Sequence, residues 1–560
     1  MLRSDRSGTG VTVVFIALLS SPVMSDSGAT PAAAATWLSI LPPVCAIVIA
    51  LLFKRVIPAL LVGVVLGAWL IEGLTVSGFW RGLLSSFEVY VLNALANRDH
   101  AAILLFTMMI GGMVGIISRN GGMQGLVNTI ARWADSARHA AIATASMGMA
   151  VFFDDYANTL VVGNTMRPVT DSKGISREKL AYIVDSTAAP VACIALVTTW
   201  IGYEVGLIGD SLSQIDGIDM DAYILFLHTI PYSFYPLLAI IFVFMVCWSG
   251  KDFGPMLAAE KRARLETGPR IPDEMPQENN DSGPIAAVEG RPHRAINAIL
   301  PVVVLIGSVL VGLYVTGTQA LEKESADMRD IIGASDSYRA LLWASFLSVL
   351  CASILSMAQR ILDLEAVVDA WYRGMRSMIM ALIILILAWA LGETTDILRT
   401  ADFLVSKLGE TLPAFTLPVI VFLLAAGTGF ATGSSWGAMG ILIPLVLPLT
   451  WAVLQSQGLA NPEHMHILYS AISAVLAGAV WGDHCSPISD TTILSSLSSG
   501  CDHVEHVRTQ LPYALLVGLT ALFACSLPVA LGMPWWLGLM IGVLILAVLL
   551  RAFGSVPNTE

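Results

Sequence analysis

Apolar runs close to the roughly 20 residues that span a bilayer recur along almost the whole chain, separated by short polar clusters. They predict spans near Trp37–Phe53, Val56–Gly73, Ala101–Ser118, Glu178–Tyr203, Tyr223–Trp248, Ala295–Thr316, Tyr338–Ala358, Ser377–Glu393, Ile467–Leu497, Leu511–Leu531 and Trp535–Leu550. Two further apolar segments, Ala140–Pro168 and Ala414–Pro448, are broken at their centres by Gly, Asp or Ser clusters. The expected fold class is an all-α polytopic membrane protein with about 11 spanning helices plus two re-entrant hairpins.

Composition agrees with that pattern. Of 560 residues, 56% are hydrophobic and 13% charged, where soluble chains carry about 25% charged residues. This excludes a soluble enzyme and a disordered chain. A net charge of −12 with no clustered basic stretch argues against nucleic acid as a partner and leaves the lipid bilayer as the expected one. The 7 cysteines are scattered without CxxC spacing and read as small packing residues.

At the start, Arg3 and Arg6 precede a short apolar stretch, Val11–Leu19, and a polar run to Thr30, so residues 1–30 read as a signal peptide and polar lead. The alternative is a short uncleaved anchor. Lys251–Arg294, with six prolines and mixed charge, reads as a flexible cytoplasmic linker. It divides the chain into a first transmembrane unit (36–250) and a second (295–531), followed by an extra C-terminal helix and tail (532–560).

The positive-inside rule orients the spans. If Lys54 and Arg55 face the cytoplasm, so do Arg119, Arg132, Arg138, Arg167, Lys173, Arg177, Lys179, Arg360, Arg508 and Arg551. The stretch Glu204–Asp221, with five acids and no Lys or Arg, then forms a loop on the opposite side. The signs are consistent only if both broken segments enter and leave on one side, as hairpins.

The two units also resemble each other. At an offset of 280 residues, Phe153-Asp154-Asp155-Tyr156-Ala157 lies over Gly433-Ser434-Ser435-Trp436-Gly437. Each hairpin follows an amphipathic stretch, Gly122–Ala137 or Thr395–Leu412. Each precedes a span broken by an Asp–Pro cluster, Asp185-Ser186-Thr187-Ala188-Ala189-Pro190 or Asp483-His484-Cys485-Ser486-Pro487. The loop charges bring the first hairpin in from the cytoplasm and the second from outside. An inverted-topology repeat with two broken helices is the signature of secondary transporters.

Acids at membrane depth are costly and mark ion pathways. Asp154, Asp155, Asp185, Asp483 and Asp490 fall at the breaks, with no Lys or Arg among them. They are therefore either protonated or bound to a cation, and a carboxylate exchanging one for the other is the minimal machinery of an antiporter. Asn158, Thr159, Ser434, Ser435, Ser486, Ser489, Thr491 and Thr492 add neutral oxygens, each equally explicable as a helix cap or interhelical bond. Asp154 alternatively caps a half-helix. His484 stands beside Asp483 as a proton relay or a packed ring. Cys501-Asp502-His503-Val504-Glu505-His506 has metal-ligand types but fits a helix start capped by Asp502. No cofactor or resident metal is expected, only transported Na⁺ and H⁺.

The motif Gly482-Asp483-His484-Cys485-Ser486-Pro487-Ile488-Ser489-Asp490-Thr491-Thr492 resembles the NhaC family of sodium/proton antiporters. Phe152–Asn158, Asp185–Pro190 and Gly427–Gly437 are similar to that family too, and the resemblance runs from about Trp37 to Pro528. It implies cation/proton exchange across a bacterial plasma membrane and a fold of paired hairpins and broken helices. It also implies relatives that exchange malate and lactate with sodium, and a possible homodimer.

Overall fold

The computed structural model describes residues 36–557 apart from 54, 216, 219, 266–284, 289, 322–330, 332–334, 401–402 and 404–411. The expected signal peptide and most of Thr395–Leu412 lie outside the described residues. In chain order the helices are α1 (Leu41–Phe53), α2 (Val56–Glu72), α3 (Val76–Ser85), α4 (Arg98–Arg119), α5 (Gly122–Ala131), α6 (Ala137–Ala150), α7 (Asp155–Ser172), α8 (Arg177–Ser186), α9 (Ile201–Ser213), α10 (Ala222–Thr229) and α11 (Phe234–Ser249). There follow α12 (Gly254–Leu265), α13 (Ile296–Leu321), α14 (Ser337–Ala358), α15 (Leu364–Ile397), α16 (Leu417–Thr432), α17 (Ser435–Ser456), α18 (Met465–Cys485), α19 (Asp490–Ser499), α20 (His503–Thr520) and α21 (Trp535–Phe553). Among the described residues 9 helices are long and apolar enough to cross a membrane, or 10 if α10 and α11, bent by 51°, form one span. The chain is a multi-pass helical membrane protein.

Burial separates the centre from the rim. In α17 and α18, 83% of the apolar window is buried, against 22% in α21. Helices approach closely where side chains are small, since lipid offers no hydrophobic drive for association. A Cβ on Gly478 would stand 2.5 Å from Phe422 O, and one on Gly482 would stand 2.0 Å from Ala426 O, so α18 lies almost backbone to backbone on α16. This contact carries Asp483 into the centre. The same device joins α4 to α15, where a Cβ on Gly374 would meet Gly111 O at 2.1 Å.

Both expected breaks are present. α6 ends at Ala150 and α7 begins at Asp155; α16 ends at Thr432 and α17 begins at Ser435. Gly433 makes the second turn in the left-handed region (φ 64°), where a Cβ would also lie 2.4 Å from Ile488 O. The Asp185 and Asp483 spans break after Ser186 and Cys485, and the second resumes as α19 at Asp490.

Four regions differ from the sequence expectation. The interval between Gly73 and Ala101, assigned no element, carries α3, a π turn over Ser86–Val91 and a short helix Leu92–Ala96. Its exposed Trp80, Leu84 and Phe87 are interleaved with polar residues, so no continuous apolar run marks it. Glu204 is not in an outer loop. It sits fully buried in α9, which extends the Glu178 span to Ser213. α15 starts at Leu364 rather than Ser377, because Asp363 accepts a bond from Ala366 N (2.8 Å) and caps a helix with a polar outer face.

The linker, lastly, is ordered at its beginning. Lys179 Nζ donates to Asp252 Oδ2 (2.6 Å), and Glu260 on α12 accepts from Ser176 N (2.8 Å) and Ser176 Oγ (2.7 Å). Together these pin the start of α8. Gly374→Ala overpacks a backbone contact and is expected to cost about 1–3 kcal/mol. Gly307→Ala, inside α13 with open space around its Cβ, is expected to leave the thermal midpoint unlowered or slightly raised. Thermal unfolding of both variants in detergent checks this.

Candidate functional site

Each broken segment restarts its helix with a polar cap. Asp154 (φ −157°, ψ 126°) accepts from Ala157 N at 2.9 Å, and Ser434 (φ −151°, ψ 116°) accepts from Gly437 N at 3.3 Å. Two residues at equivalent positions of the repeat thus adopt one backbone conformation and do one job. Their oxygens satisfy helix N-termini, and Asp154 Oδ1 also accepts from Thr199 Oγ1 at 3.2 Å. Asp155 and Ser435, the first residues of α7 and α17, are buried beside them.

The first break is held by one carboxamide. Asn158 Nδ2 lies 2.7 Å from Gly148 O, 3.3 Å from Val151 O and 2.9 Å from Thr187 O. It ties the end of α6 to the end of α8. The second break is held by Ser486, whose Oγ donates to Phe430 O at 2.7 Å. The two breaks meet through aromatics: Trp200 and Tyr203 at the start of α9 pack on Trp436 at 5.2 and 4.7 Å, and the Tyr203 hydroxyl donates to Trp436 O.

The carboxylates divide by their partners. Asp185 is saturated, since its Oδ2 accepts from Thr492 Oγ1 (3.0 Å) and Gln510 Nε2 (2.6 Å), and its Oδ1 accepts from Ser495 Oγ (3.4 Å). His484 Nε2 stands 3.8 Å away, bonded to Ser186 Oγ, while Nδ1 meets the Tyr235 hydroxyl at 2.5 Å. Asp155 is the opposite case. Neither of its buried oxygens has a hydrogen bond of normal geometry among the described residues, and its polar neighbours are the Trp200 indole N–H and the amides of Asp155 and Tyr156. Asp483 Oδ1 and Asn158 Oδ1 are likewise bare, while Asp483 Oδ2 has Ser435 Oγ at 3.5 Å and the carboxyl also has the Ser489 hydroxyl beside it. Asp155, Asp185 and Asp490 are the charges acting on Asp483.

Two expected residues are placed differently. Asp490 is exposed in the first turn of α19, where a carboxylate complements the helix dipole, and so is not one of the buried acids. Thr491 is buried but bonded to Ser489 Oγ at 3.0 Å. The sequence reading also missed Glu204, whose two oxygens are buried and bare, with the Cys193 thiol as polar neighbour. The apolar Val205, Leu207 and Ile208 that follow it are the signal that the helix continues. Gln510 and Tyr235 carried no signal, because their roles rest on contacts between distant elements. Among the described residues no three His, Cys, Asp or Glu side chains gather as a metal site.

A bundle of apolar helices with two interrupted segments meeting over bare carboxylates is a membrane transporter. Residues 191–527 match the model of the Na⁺/H⁺ antiporter family, and the chain belongs to that family. An uncharacterized protein of Haemophilus influenzae is 32% identical over 486 residues, 86% of this chain and 88% of that one. Shorter stretches match the arginine/ornithine antiporter of Halobacterium salinarum (34% over 115 residues, 19% of this chain and 21% of that one) and the malate-2H⁺/Na⁺-lactate antiporter of Bacillus subtilis (37% over 81 residues, 14% and 15%). The YdaH transporter of Alcanivorax borkumensis shares the fold at TM-score 0.51 and 15% identity, over 81% of this chain and 90% of that one.

Asn158→Leu strips a donor from three carbonyls at once. Each buried carbonyl left bare costs about 1–3 kcal/mol. The variant is expected to unfold well below Thr159→Val, which loses only a bond to Tyr156 O within its own helix. Fluorescence-detected size exclusion after a heat ramp measures the difference.

Proposed function

We propose that the protein exchanges Na⁺ for H⁺ across a bacterial plasma membrane, with Asp155 and Asp483 binding cation and proton in competition. The observation that carries this reading is the set of bare, buried acceptor oxygens on Asp155, Asp483 and Asn158, flanked by the breaks. A buried carboxylate without a partner is neutral, or holds a cation. When Na⁺ arrives the carboxylic O–H breaks, the proton leaves, and the carboxylate joins the neutral oxygens around the ion. A hard cation of this size suits oxygen ligands of mixed charge. Ser435 and Ser489 are neutral oxygens beside Asp483; Asp154, Ser434 and Ser486 hold the half-helices in place, and Asp185 with His484 forms the hydrogen-bonded wall behind. Family membership supports the reading.

The broken segments act as re-entrant hairpins of an inverted repeat, and alternating access comes from that unit moving against the remaining spans. A homodimer within the inner membrane is the expected assembly.

One observation favours a second reading, exchange of a small organic acid or amino acid. A cavity of about 370 Å³ has Asp154 and Tyr156 on one wall and Arg373, Arg376 and Ser377 of α15 on the other. Arg373 is paired with Asp369 at 3.0 Å, which leaves Arg376 and Asp154 in the same lining to suit a ligand carrying both charges. The arginine/ornithine and malate/lactate antiporters that match short stretches of the chain favour it as well.

Asp155→Asn and Asp483→Asn are each expected to reduce Na⁺-induced collapse of a pH gradient in everted vesicles to the level of vesicles lacking the protein. Asp490→Asn is expected to keep most of the activity. Unimpaired exchange in both buried variants sinks the assignment. The same vesicles, offered Li⁺, K⁺, malate, lactate and arginine, separate the two readings. Collapse with an organic substrate alone, weakened by Arg376→Gln, would favour the second.

A further inference from the structure

Asp502 caps α20 as its position requires, accepting from Glu505 N at 3.0 Å. The two histidines of that helix start have a separate arrangement. His506 is fully buried, and its Nε2 lies 2.9 Å from Gln510 Oε1. The nitrogen end of the Gln510 amide is identified by its 2.8 Å contact with His484 O, because a carbonyl only accepts. The oxygen end therefore needs a donor, and His506 carries its proton on Nε2. His503 Nε2 lies 2.6 Å from Pro487 O, so it too is protonated there. In both neutral rings Nδ1 is bare.

Both bare nitrogens face one hydroxyl. Ser496 Oγ is 3.0 Å from His503 Nδ1 and 2.8 Å from His506 Nδ1, and also 2.7 Å from Thr492 O. Three acceptors share a single hydroxyl hydrogen. One added proton repairs the shortage: placed on His503 Nδ1 it is donated to Ser496 Oγ, whose own hydrogen turns to His506 Nδ1. His503 is partly exposed at the Arg- and Lys-bearing end of the bundle, which the positive-inside rule makes cytoplasmic.

We propose that His503, Ser496 and His506 form a proton-binding site, separate from Asp155 and Asp483, that takes one proton from the adjoining water and relays it to His506. In the relay the His503 Nδ1–H bond breaks as a new Ser496 O–H bond forms, and the old Ser496 O–H bond breaks as His506 Nδ1–H forms. The imidazolium then stands behind Gln510, whose amide already bonds Asp185, so its charge favours the ionised form of that carboxylate. The charged and titratable groups acting on His506 are Asp185 from α8, His484 from α18 and His503 on its own helix. α19 presents hydroxyls, α11 presents Tyr235 to His484, and the acids on the α12 side, Asp252 and Glu260, are held by Lys179. Beside His503, Glu505 is paired with Arg508 at 2.9 Å, and Arg177 donates to Gly500 O at 3.1 Å.

The site's role in transport rests on the antiport reading, but its existence does not, and the test separates them. The full chain, labelled with ¹⁵N-histidine in nanodiscs, is titrated by NMR, with His503→Asn and His506→Asn used to assign the rings. The expected result is Nε2–H neutral rings that together take up one proton between about pH 4 and 8, the buried ring at the acid end of that window. In Ser496→Ala the two rings titrate separately, the first midpoint falling by about one unit, roughly tenfold in proton affinity. Unchanged midpoints in Ser496→Ala, or a flat His506 response from about pH 4 to 9, overturn the proposal. Na⁺/H⁺ exchange in vesicles is then followed against the pH of the basic side. A matching acid shift of its profile in Ser496→Ala supports the relay, and an unshifted profile beside a shifted NMR midpoint overturns it. If neither chain exchanges Na⁺ for H⁺ but the NMR midpoint shifts, the site stands and the antiport reading falls.

Discussion

The constraint on which this structure depends is that a backbone interrupted inside a membrane must pair its own polar groups, because lipid pairs none of them. The first interruption is made tolerable largely by the Asn158 amide, which collects carbonyls from the end of α6, the following turn and the end of α8. Once those ends are held, the half-helix α7 can begin in the interior and present Asp155 at its tip. The second interruption uses different means to the same end. Gly433 turns the chain, Ser434 caps α17, and Ser486 reaches back to Phe430.

Acids in this interior are thereby of two kinds. Asp185 is enclosed by donors from α19 and α20 and works as part of the framework. Asp155 and one oxygen of Asp483 have been brought to the same depth and left bare. A protein that needed them only for stability would have given them donors, since a bare buried carboxylate is among the costlier groups to keep. The contrast between saturated and bare acids, more than their number, is what the proposed cation and proton site rests on in this member of the Na⁺/H⁺ antiporter family.

Much of this was legible in the sequence because breaks are local. Gly, Ser and Asp clusters inside apolar runs located both interruptions, and the match of Asp154 with Ser434 anticipated two caps of one geometry. Position along the chain does not report burial, however. Glu204 looked like a loop acid because it follows a broken span, yet it continues into a buried helix. Asp490 looked embedded because it falls at a break, yet as the first residue of α19 it is exposed. The α3 segment escaped notice because its outward apolar residues are spaced by polar ones. Gln510 became meaningful only when α20 packed against α8 and α18.

The contact between Gly111 and Gly374 has a mechanical consequence. Side chains that interlock across an interface can hop to a neighbouring notch, which is how packed helices ratchet. Two backbones in direct touch have no such teeth, and any sliding drives a carbonyl into an α-carbon. α4 and α15 therefore behave as one welded beam. In the proposed exchange cycle any moving unit must move against that beam, with the paired glycines as part of the fixed frame.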